Sequence, residues 1–483
     1  MRVLWYNSRR MQFVWTFLEG VVSFASPCVL PLLPAYVACF AAENRGPART
    51  ASRAAAFVLG FSLVFVALGV FAGSPGAAPA AKPHVFSMSF KVTSLNGPIA
   101  SERTREKTFA WLRKNHFSKV WLESYRHGER VPSDLLARER DAFRAAGFAV
   151  SGMVTPTMLN DAPAGGKPPM VTCWSDPAAQ DRLRAECVRA AELFDQVIVD
   201  DFLFSACGDK CARCVALKRK LGMADWGAFR RHLMLDVSRR CVVEPSRAAN
   251  PKIDVIVKFP CWYQNWFRQG YSPVEEPRLF GSCWAGTETR DANPDPVQGC
   301  NLVGMLDDLS GGRCGGGWYD GLDSAPEKFV EQARYTILGG ARESFVHCYD
   351  YLIADDPGVT PFGEKADRGH ACAAAFEKES DGLFELARLL NGAKRDGWRW
   401  VVNRDGTGTG VSCHAFDAGG RRYVAWQNTT GEERVLDGWN PPAQRKLLSL
   451  PDDAAATVSG GKLRLAPHAF ALVEASTPVS ESH

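Results

Sequence analysis

The feature that most constrains the fold is an alternation of short apolar runs with amphipathic stretches between Pro83 and Leu352. Runs of strand length separated by helical periodicity are typical of βα units, which build parallel sheets. In one intervening stretch, Trp226, Phe229 and Leu233 recur at three- and four-residue steps and mark one buried helix face. Eight apolar runs lie near His84–Lys91, Lys119–Arg126, Phe148–Pro156, Gln196–Phe204, Ile253–Pro260, Ser282–Arg290, Gly316–Asp323 and Ser344–Leu352. The pattern predicts an α/β fold, a (β/α)8 TIM barrel.

The chain of 483 residues is longer than one such barrel, which typically takes about 250 residues. After the helical stretch that ends near Asn391, the pattern changes to short β runs between Gly, Asn and Asp turns, which predicts a β-sandwich. The last residues are polar and are expected to be disordered. The predicted organisation is a membrane segment at 1–75, a linker at 76–83, the barrel at 84–392, the β-sandwich at 393–475 and the tail at 476–483.

The charge distribution excludes one class of partner. The chain carries 57 Lys and Arg against 53 Asp and Glu, a net charge of +4, and the basic residues form no block. Binding to a phosphate backbone depends on clustered Lys and Arg. No nucleic acid partner is therefore expected.

Two uncharged stretches near the start of the chain, Gly20 to Ala42 and Ala54 to Gly73, are each long enough to cross a hydrocarbon layer of roughly 30 Å. The arginines of the connector between them favour a cytoplasmic loop, although arginines before the first stretch argue for the opposite orientation. We expect a membrane-anchored protein whose barrel is periplasmic or extracellular. Small residues from Gly76 to Ala81 resemble a signal peptidase site, and cleavage there would release the barrel.

The first uncharged stretch carries an unusual motif. Ser26 to Pro34 inserts three prolines and Cys28 into an apolar helix. With the run from Phe57 to Phe65, it resembles the first two spans of the cytochrome c biogenesis and thiol-disulfide interchange transmembrane family. The resemblance implies a redox role for Cys28 with a second cysteine in a later span. It stops near Gly73, before those later spans, and exchange needs a resolving thiol in reach. We therefore interpret the segment as an anchor or a fusion remnant, with Cys28 vestigial.

Acidic residues follow most of the predicted barrel strands, where barrel enzymes place their chemistry. They are Glu123, Asp200, Asp201, Glu288, Asp291, Asp320, Asp323 and Asp350. Two carboxyl groups that face one cavity suit glycosidic-bond cleavage, since one protonates the leaving oxygen and the other attacks or activates water. The Gly-rich stretch from Gly311 to Gly317 lacks the Lys-Ser/Thr ending that holds nucleotide phosphates.

Acids after strands four and six resemble those of the α-galactosidase-like glycoside hydrolases. The motifs Val199 to Phe202, Lys258 to Pro260, Gly286 to Asp291 and Gly315 to Asp320 also resemble poorly characterised glycosidase-like barrels. The first resemblance implies a strand-four nucleophile and a strand-six acid/base. We assign Asp201, with Asp200 as the alternative, as nucleophile or base and Glu288 as general acid, with Asp320 as rival. Because side chains alternate along a strand, only one of the adjacent aspartates is expected to face the cavity.

Substrate contacts are expected from loops after the strands. Aromatic rings there hold sugar faces, although any single ring is equally compatible with the core. Arg290 is either a substrate contact or a structural partner of Glu288. The predicted substrate-binding residues are Glu123, Trp262, Tyr263, Trp284, Arg290, Asp291, Trp318 and Tyr319, and Trp266 lies in the same loops.

Three thiols, Cys207, Cys211 and Cys214, lie within eight residues directly after strand four. Short spacings of this kind let one loop supply several of the four ligands that structural zinc takes. Cys173 or another distant cysteine would complete the set. A disulfide or simple buried thiols are equally compatible with the spacing.

The function predicted from these patterns is that of a glycoside hydrolase acting on an oligo- or polysaccharide, with no cofactor required for catalysis and a structural zinc as the candidate metal. Two alternatives come from other classes. One is a thiol-disulfide electron-transfer protein of the cytochrome c biogenesis type, which the first spans suggest. The other is a carbohydrate-binding barrel without catalysis, which differs from the enzyme only in turnover.

Overall fold

The fold is given by a computed structural model that describes residues 83–162, 169–293, 295–354, 366–402, 407–436, 445–448, 455–459 and 462–475. The two predicted membrane spans, Cys28 and the predicted tail lie outside these ranges. Within the described ranges, no helix is both long enough and apolar enough to cross a bilayer.

Eight parallel strands form a closed barrel. They are β1 (Val85–Phe90), β2 (Phe117–Arg126), β3 (Ala149–Val154), β4 (Gln196–Val199), β5 (Asp254–Phe259), β6 (Gly281–Gly286), β7 (Cys314–Asp320) and β8 (Glu343–His347). Each strand pairs in parallel with its sequence neighbour, and β1 also pairs with β8, with Val85 opposite Glu343. A two-residue antiparallel strand, Glu129–Arg130, extends β2. The predicted (β/α)8 barrel is confirmed.

The strands β4, β6 and β8 end earlier than their sequence patterns predicted, at Val199, Gly286 and His347. After β4 and β6 polar residues follow directly, Asp200 and Asp201 in the first case and Thr287 and Glu288 in the second. After β8 the chain turns directly into a short helix, so the predicted strand end at Leu352 is wrong.

Helices cover the outside of the barrel and fill its loops. They are α1 (Val92–Leu95), α2 (Glu102–Lys114), α3 (Ser133–Ala145), α4 (Pro177–Leu193), α5 (Ala212–Lys220), α6 (Trp226–Val237), α7 (Glu244–Ala249), α8 (Trp266–Gln269), α9 (Glu275–Phe280), α10 (Gln298–Ser310), α11 (Pro326–Gly339), α12 (Tyr349–Leu352) and α13 (Ala366–Leu389). In α6, the Asp225 side chain accepts from the Ala228 N–H and caps the first turn. Phe229 and Leu233 are buried on the face that the periodicity predicted.

The barrel interior is built in layers because alternate residues of each strand point inward. One layer is apolar and contains Trp121, Met153, Ile198, Ile256, Trp284, Trp318 and Phe345. Two residues farther along the same strands, toward their carboxyl ends, lie Glu123, Thr155, Asp200, Lys258, Gly286, Asp320 and His347. The apolar layer therefore forms the floor beneath a polar layer that opens to the rim.

Two antiparallel sheets follow the barrel. They consist of β9 (Lys394–Val402), β10 (Gly408–Ala418), β11 (Arg421–Asn428), β12 (Arg434–Leu436), β13 (Arg445–Leu448), β14 (Ala456–Ser459), β15 (Lys462–Leu465) and β16 (Phe470–Ala475). The strand orders are β9-β10-β11-β16-β13 and β12-β15-β14. Residues from both sheets, among them Val411, Leu436 and Leu463, share one hydrophobic cluster. This arrangement agrees with the expected two-sheet module.

Helix α11 joins this module to the barrel through polar contacts. The Tyr335 hydroxyl lies 2.9 Å from Ser412 Oγ, and Arg334 donates to Gln427 Oε1 at 3.1 Å. His468 Nδ1 lies 2.8 Å from Glu331 Oε1. Barrel and sheets belong to one compact unit, Ala81–His483.

Candidate active site

A cavity of about 560 Å³ lies at the carboxyl ends of the barrel strands. Its volume falls in the range of about 300–1,000 Å³ that is usual for small-molecule sites. The lining residues that bear on its chemistry are Arg126, Asp200, Asp201, Lys258, Trp262, Glu288, Arg290, Trp318, Asp320 and His347. The rim where barrel enzymes carry out chemistry is thus concave and strongly charged.

Lys258 is the centre of this charge. It reaches the rim from β5, and its Nζ donates to Asp201 Oδ2 at 2.9 Å and to Glu288 Oε1 at 2.6 Å. The Asp200 carboxylate lies 3.6 Å from the same nitrogen, which also sits 4.2 Å from the centre of the Trp318 ring. One buried ammonium group therefore ties the acids after strand four to the acid after strand six.

Asp200 and Asp201 both line the cavity, so the prediction that only one of them faces it is wrong. Alternation places Asp200 inward, two residues after Ile198 of the barrel floor. Asp201 lies beyond the end of β4, where the strand rule no longer applies, and the Tyr271 hydroxyl donates to its backbone carbonyl. The chain turn at this point brings both carboxylates to Lys258.

The two aspartates differ in how freely they can react. Asp200 is only 4% exposed, and its carboxylate accepts from Arg126 at 3.1 Å, from the Thr155 hydroxyl at 3.2 Å and from the Asp201 N–H at 2.8 Å. Asp201 is 18% exposed at the cavity wall. Asp200 is thus held by several donors, whereas Asp201 presents its carboxylate to the cavity.

Burial and charge separate the acidities of these groups. Burial raises the pKa of Asp201 to about 6, against the opposing attraction of Lys258. Burial also raises the pKa of Glu288, again opposed by Lys258. For Asp200 burial acts in the same direction, but Lys258 and Arg126 together bring its pKa below the ordinary value. Asp200 is therefore a fixed anion, whereas Asp201 exchanges its proton near pH 6 and Glu288 holds its proton to a higher pH than an ordinary glutamate does.

Glu288 follows β6 and folds back over Gly286. A Cβ at Gly286 would lie 2.5 Å from Glu288 Oε2 and 2.7 Å from the Cys261 nitrogen, so only glycine fits at this point. Glu288 Oε2 is buried and has no hydrogen-bond partner among the described residues. A buried unpaired anionic oxygen is costly, which favours a proton on this carboxyl.

Asp320, the rival catalytic acid, is fully engaged by Arg290. The guanidinium donates to it twice, at 2.9 and 2.5 Å, and the Leu322 N–H donates at 3.1 Å. The alternative pairing of Arg290 with Glu288 is thus replaced by a bidentate pair with Asp320. This pair holds the Arg290 guanidinium, 40% exposed, at the cavity wall.

The predicted aromatic contacts divide according to their depth in the barrel. Trp262 and Trp318 line the cavity. Trp284 lies in the apolar floor, with its ring 5.2 Å from that of Trp121, and Tyr319 points outward and is buried 5.7 Å from Phe329. Tyr263 is 42% exposed on the surface, outside the cavity lining. The predictions of substrate contact for Trp284 and Tyr319 are therefore wrong, because both side chains are buried, whereas that for Tyr263 stays a prediction.

Trp266 and three acids from the predicted set have structural contacts. Trp266 is buried and donates to the Pro260 carbonyl. Glu123 is buried beneath the cavity and accepts from Arg126 and Thr155. Asp291 stabilises the rim because its carboxylate accepts from the Ala325 N–H and pairs with Arg368. The Asp350 carboxylate accepts from the Lys91 N–H and from the hydroxyl groups of Thr93 and Ser94.

Sequence reasoning missed Lys258, Arg126 and His347 as site residues. A lysine inside the apolar run of β5 was the available signal, since a buried charge requires partners. Arg126 bridges Glu123 and Asp200. His347 lies 2.8 Å from Ser89 through Nδ1, and burial together with nearby cations keeps its pKa well below the ordinary value. It lines the cavity as a neutral ring.

The three clustered cysteines lie in the loop after β4, and Cys173 from the loop after β3 joins them. All thirteen cysteines within the described ranges are free thiols. The cluster lies outside the residues that line the cavity, so it is a separate feature of the same rim.

Comparison with known proteins gives one family and several similar folds. A family model described as "probable glycosyl hydrolase, catalytic domain" matches residues 76–366. An uncharacterized protein of Saccharolobus solfataricus is 21% identical over 258 residues, which are 49% of this chain and 42% of that protein. The chain thus spans less than half the length of this relative.

Among solved structures, a beta-galactosidase from Bacillus circulans has a TM-score of 0.50 at 8% identity, covering 82% of this chain and 99% of its own. The glycoside hydrolase domain of PgaB from Bordetella bronchiseptica has a TM-score of 0.44 at 13% identity, covering 58% of this chain and 98% of its own. At such low identity, the similarity to the beta-galactosidase concerns the fold alone. Because the family model covers more than half of the chain, the chain belongs to the glycosyl hydrolase catalytic-domain family.

Proposed function

We propose that the chain cleaves glycosidic bonds with the carboxyl pair Asp201 and Glu288. The observation that supports this proposal is the Lys258 bridge, with bonds of 2.9 and 2.6 Å to the two acids. The bridged oxygens can be no farther apart than these two bonds laid end to end, about 5.5 Å. One glycosidic bond can therefore contact both acids.

In the proposed reaction, Asp201 is the nucleophile and Glu288 the general acid. The Asp201 oxygen forms a bond to the anomeric carbon as the bond from that carbon to the leaving oxygen breaks, and the Glu288 proton passes to the leaving oxygen. In the second half, Glu288 accepts a proton from water as the water oxygen displaces Asp201 from the anomeric carbon. Both residues return to their starting protonation states.

The short separation supports retention of anomeric configuration. Retaining enzymes hold their carboxyl groups about 5 to 5.5 Å apart, whereas inverting enzymes leave about 6.5 to 9.5 Å for a water. Because both oxygens bond to Lys258 Nζ, the distance between Asp201 Oδ2 and Glu288 Oε1 is at most about 5.5 Å, which is below the inverting range. A water placed between the acids for inversion would need the Lys258 contacts to open.

The proposed substrate is an oligo- or polysaccharide. Trp262 provides a ring surface at the cavity wall, and such a face packs against the apolar side of a sugar ring. Arg290 and the neutral His347 provide donors for sugar hydroxyls. This combination of flat and polar walls suits an uncharged sugar better than a compact ion.

The test is a screen of the full chain against oligosaccharides and aryl glycosides, followed by Asp201→Asn and Glu288→Gln on the best substrate. Each substitution should lower kcat by about 10²- to 10⁴-fold, the contribution typical of a positioned acid or base. Asp236→Asn on α6, which removes a surface ion pair with Arg240, is the matched control and should retain activity. Proton NMR of the first-formed anomer reports the stereochemistry.

Three results would contradict the proposal. Turnover that survives in both variants would remove these acids from the mechanism. A first product of inverted configuration would exclude the covalent Asp201 step. Saccharide binding without turnover by any member of the panel would favour a carbohydrate-binding barrel over a hydrolase.

A further inference from the structure

Four cysteine sulfurs converge beside the barrel rim. The side chains of Cys173, Cys207, Cys211 and Cys214 place their sulfurs within 4.8 Å of one another. Cys173 Sγ lies 3.6 Å from Cys211 Sγ and 3.7 Å from Cys214 Sγ. Since a disulfide bond is about 2.05 Å long, these are separate thiols that share one small space.

We propose that Cys173, Cys207, Cys211 and Cys214 bind one zinc ion in a closed, structural tetrathiolate site. In a tetrahedral site with zinc–sulfur bonds of about 2.3 Å, neighbouring sulfurs are about 3.8 Å apart. The distances from Cys173 to two of its neighbours match this edge. The observation that points to a metal is the convergence of four sulfurs, from two separate loops, within 4.8 Å of one another, which is the ligand number of a closed zinc site.

The chain around the sulfurs has the local form of a zinc loop. The Cys211 N–H donates to the Gly208 carbonyl at 3.0 Å, which closes a tight turn between two of the ligands. Cys211 then directly precedes α5, and Cys214 lies in its first turn. The unpaired N–H groups at the start of a helix favour the negative charge of a metal tetrathiolate.

Contacts around the ligands orient them. The Cys173 N–H donates to Asn160 Oδ1 at 2.6 Å, and Cys214 Sγ lies 3.2 Å from the Ser175 hydroxyl. Arg230 donates twice to the Cys207 carbonyl, at 2.9 and 2.6 Å, and brings a positive charge next to the cluster. Such outer contacts are typical of metal sites, where they fix the direction of each ligand.

The ion would join two loops that the barrel strands leave apart. Cys173 follows β3, and the other three ligands follow β4, whose loop begins with Asp200 and Asp201. The Trp174 indole, next to Cys173, donates to the Phe204 carbonyl at 2.7 Å, so the loops already touch between the cluster and the acids. Zinc binding would therefore stabilise the loop that carries the proposed nucleophile. The zinc proposal itself does not depend on whether the cavity is catalytic.

The test measures metal in the full-length protein purified under reducing conditions without added chelator. Elemental analysis should find about one zinc per chain, as expected for a single closed site. Cys173→Ser and Cys211→Ser should each weaken zinc binding by more than the roughly 10- to 100-fold that outer contacts contribute, measured by competition with a chromophoric chelator. Cobalt substitution should give the absorption bands of a tetrahedral thiolate complex.

Cys241→Ser is the matched control, because its buried sulfur lies near Arg184 and Gln180, away from the cluster. It should leave the zinc content unchanged. A reduced protein that takes up neither zinc nor cobalt would overturn the proposal. So would zinc that persists in the Cys173→Ser/Cys211→Ser double variant, or a disulfide among the four cysteines in peptides from the unreduced protein.

Discussion

Replacing Lys258 with methionine removes the cation that joins the proposed catalytic acids while keeping most of the side-chain volume. The Nζ group is almost fully buried, and it contacts Asp201 at 2.9 Å, Glu288 at 2.6 Å and Asp200 at 3.6 Å. The variant therefore leaves three carboxyl groups without the ammonium group between them. Below the pKa of Asp201, the free energy of unfolding should fall by the contribution of the lost hydrogen bonds to a charged group, about 1.5 to 3 kcal/mol for each bond.

The destabilisation of the Lys258→Met variant relative to the wild type should grow as the pH rises. In the wild type, burial raises the pKa of Asp201 to about 6 even though Lys258 opposes it. Without Lys258, we expect this carboxyl to keep its proton to pH 8. The folded variant then binds one proton more than the folded wild type over about two pH units, and each unit lowers stability by about 1.4 kcal/mol. Lys258→Met should thus lose about 3 kcal/mol more at pH 8 than at pH 6.

Urea unfolding of the full chain at pH 6 and pH 8 measures both differences. The matched control is the double variant Lys258→Met/Asp201→Asn, which lacks the titrating carboxyl and should lose most of the additional cost at pH 8. An equal loss of stability at both pH values, or a larger loss at pH 6, would refute the reasoning. A double variant with the same pH dependence as Lys258→Met would show that another group titrates.

Three further predictions concern the activity of the proposed site and the stability of the contact between the barrel and the antiparallel sheets. Gly286→Ala should displace Glu288 and lower activity by about 100-fold, since the added Cβ would lie 2.5 Å from Glu288 Oε2. Gly304→Ala, on α10 with open space around the added Cβ, is the control and should leave activity unchanged. Equal activities of the two variants would contradict the packing argument. Activity should rise as Asp201 ionises near pH 6 and fall again where Glu288 loses its proton, so full activity well below pH 6 would contradict the assigned roles. The hydrogen bond with Glu331 on α11 raises the pKa of His468. The protonated His468 therefore stabilises the fold below about pH 6.5, and this stabilisation is lost as the pH rises through the raised pKa. His468→Gln should therefore cost about 1 kcal/mol or less at pH 5.5 and nothing at pH 9 in urea unfolding, and an equal cost at both would contradict this.

Much of the fold could be predicted from the sequence because strand periodicity is a local property. Alternating apolar runs and helical stretches gave eight strands in order, and a parallel sheet built from βα units closes most readily as a barrel. The position of acids after strands four and six was also local information. The strand ends were less certain, since polar residues such as Asp200 extend the pattern beyond the last ladder bond at Val199.

The depth of each side chain in the barrel could not be predicted in the same way. Trp284 and Trp318 both point inward, yet Trp284 lies in the floor whereas Trp318 also contacts the cavity. Their difference depends on the stagger between neighbouring strands and on barrel closure, which no short segment encodes. The sequence therefore identified aromatic residues without separating floor from wall.

The sequence by itself determined the eight βα units, the acids that follow their strands and three of the four clustered cysteines, because each depends on residues close together in the chain. Only the tertiary structure decided that Lys258 connects acids 57 and 30 residues away, and that Cys173 meets three thiols from another loop. The physical reason is that a buried charge is stable only when it is paired, and the closed barrel decides which groups lie within a few ångströms of it. Closure of the barrel therefore fixes which of the many acids and thiols act together.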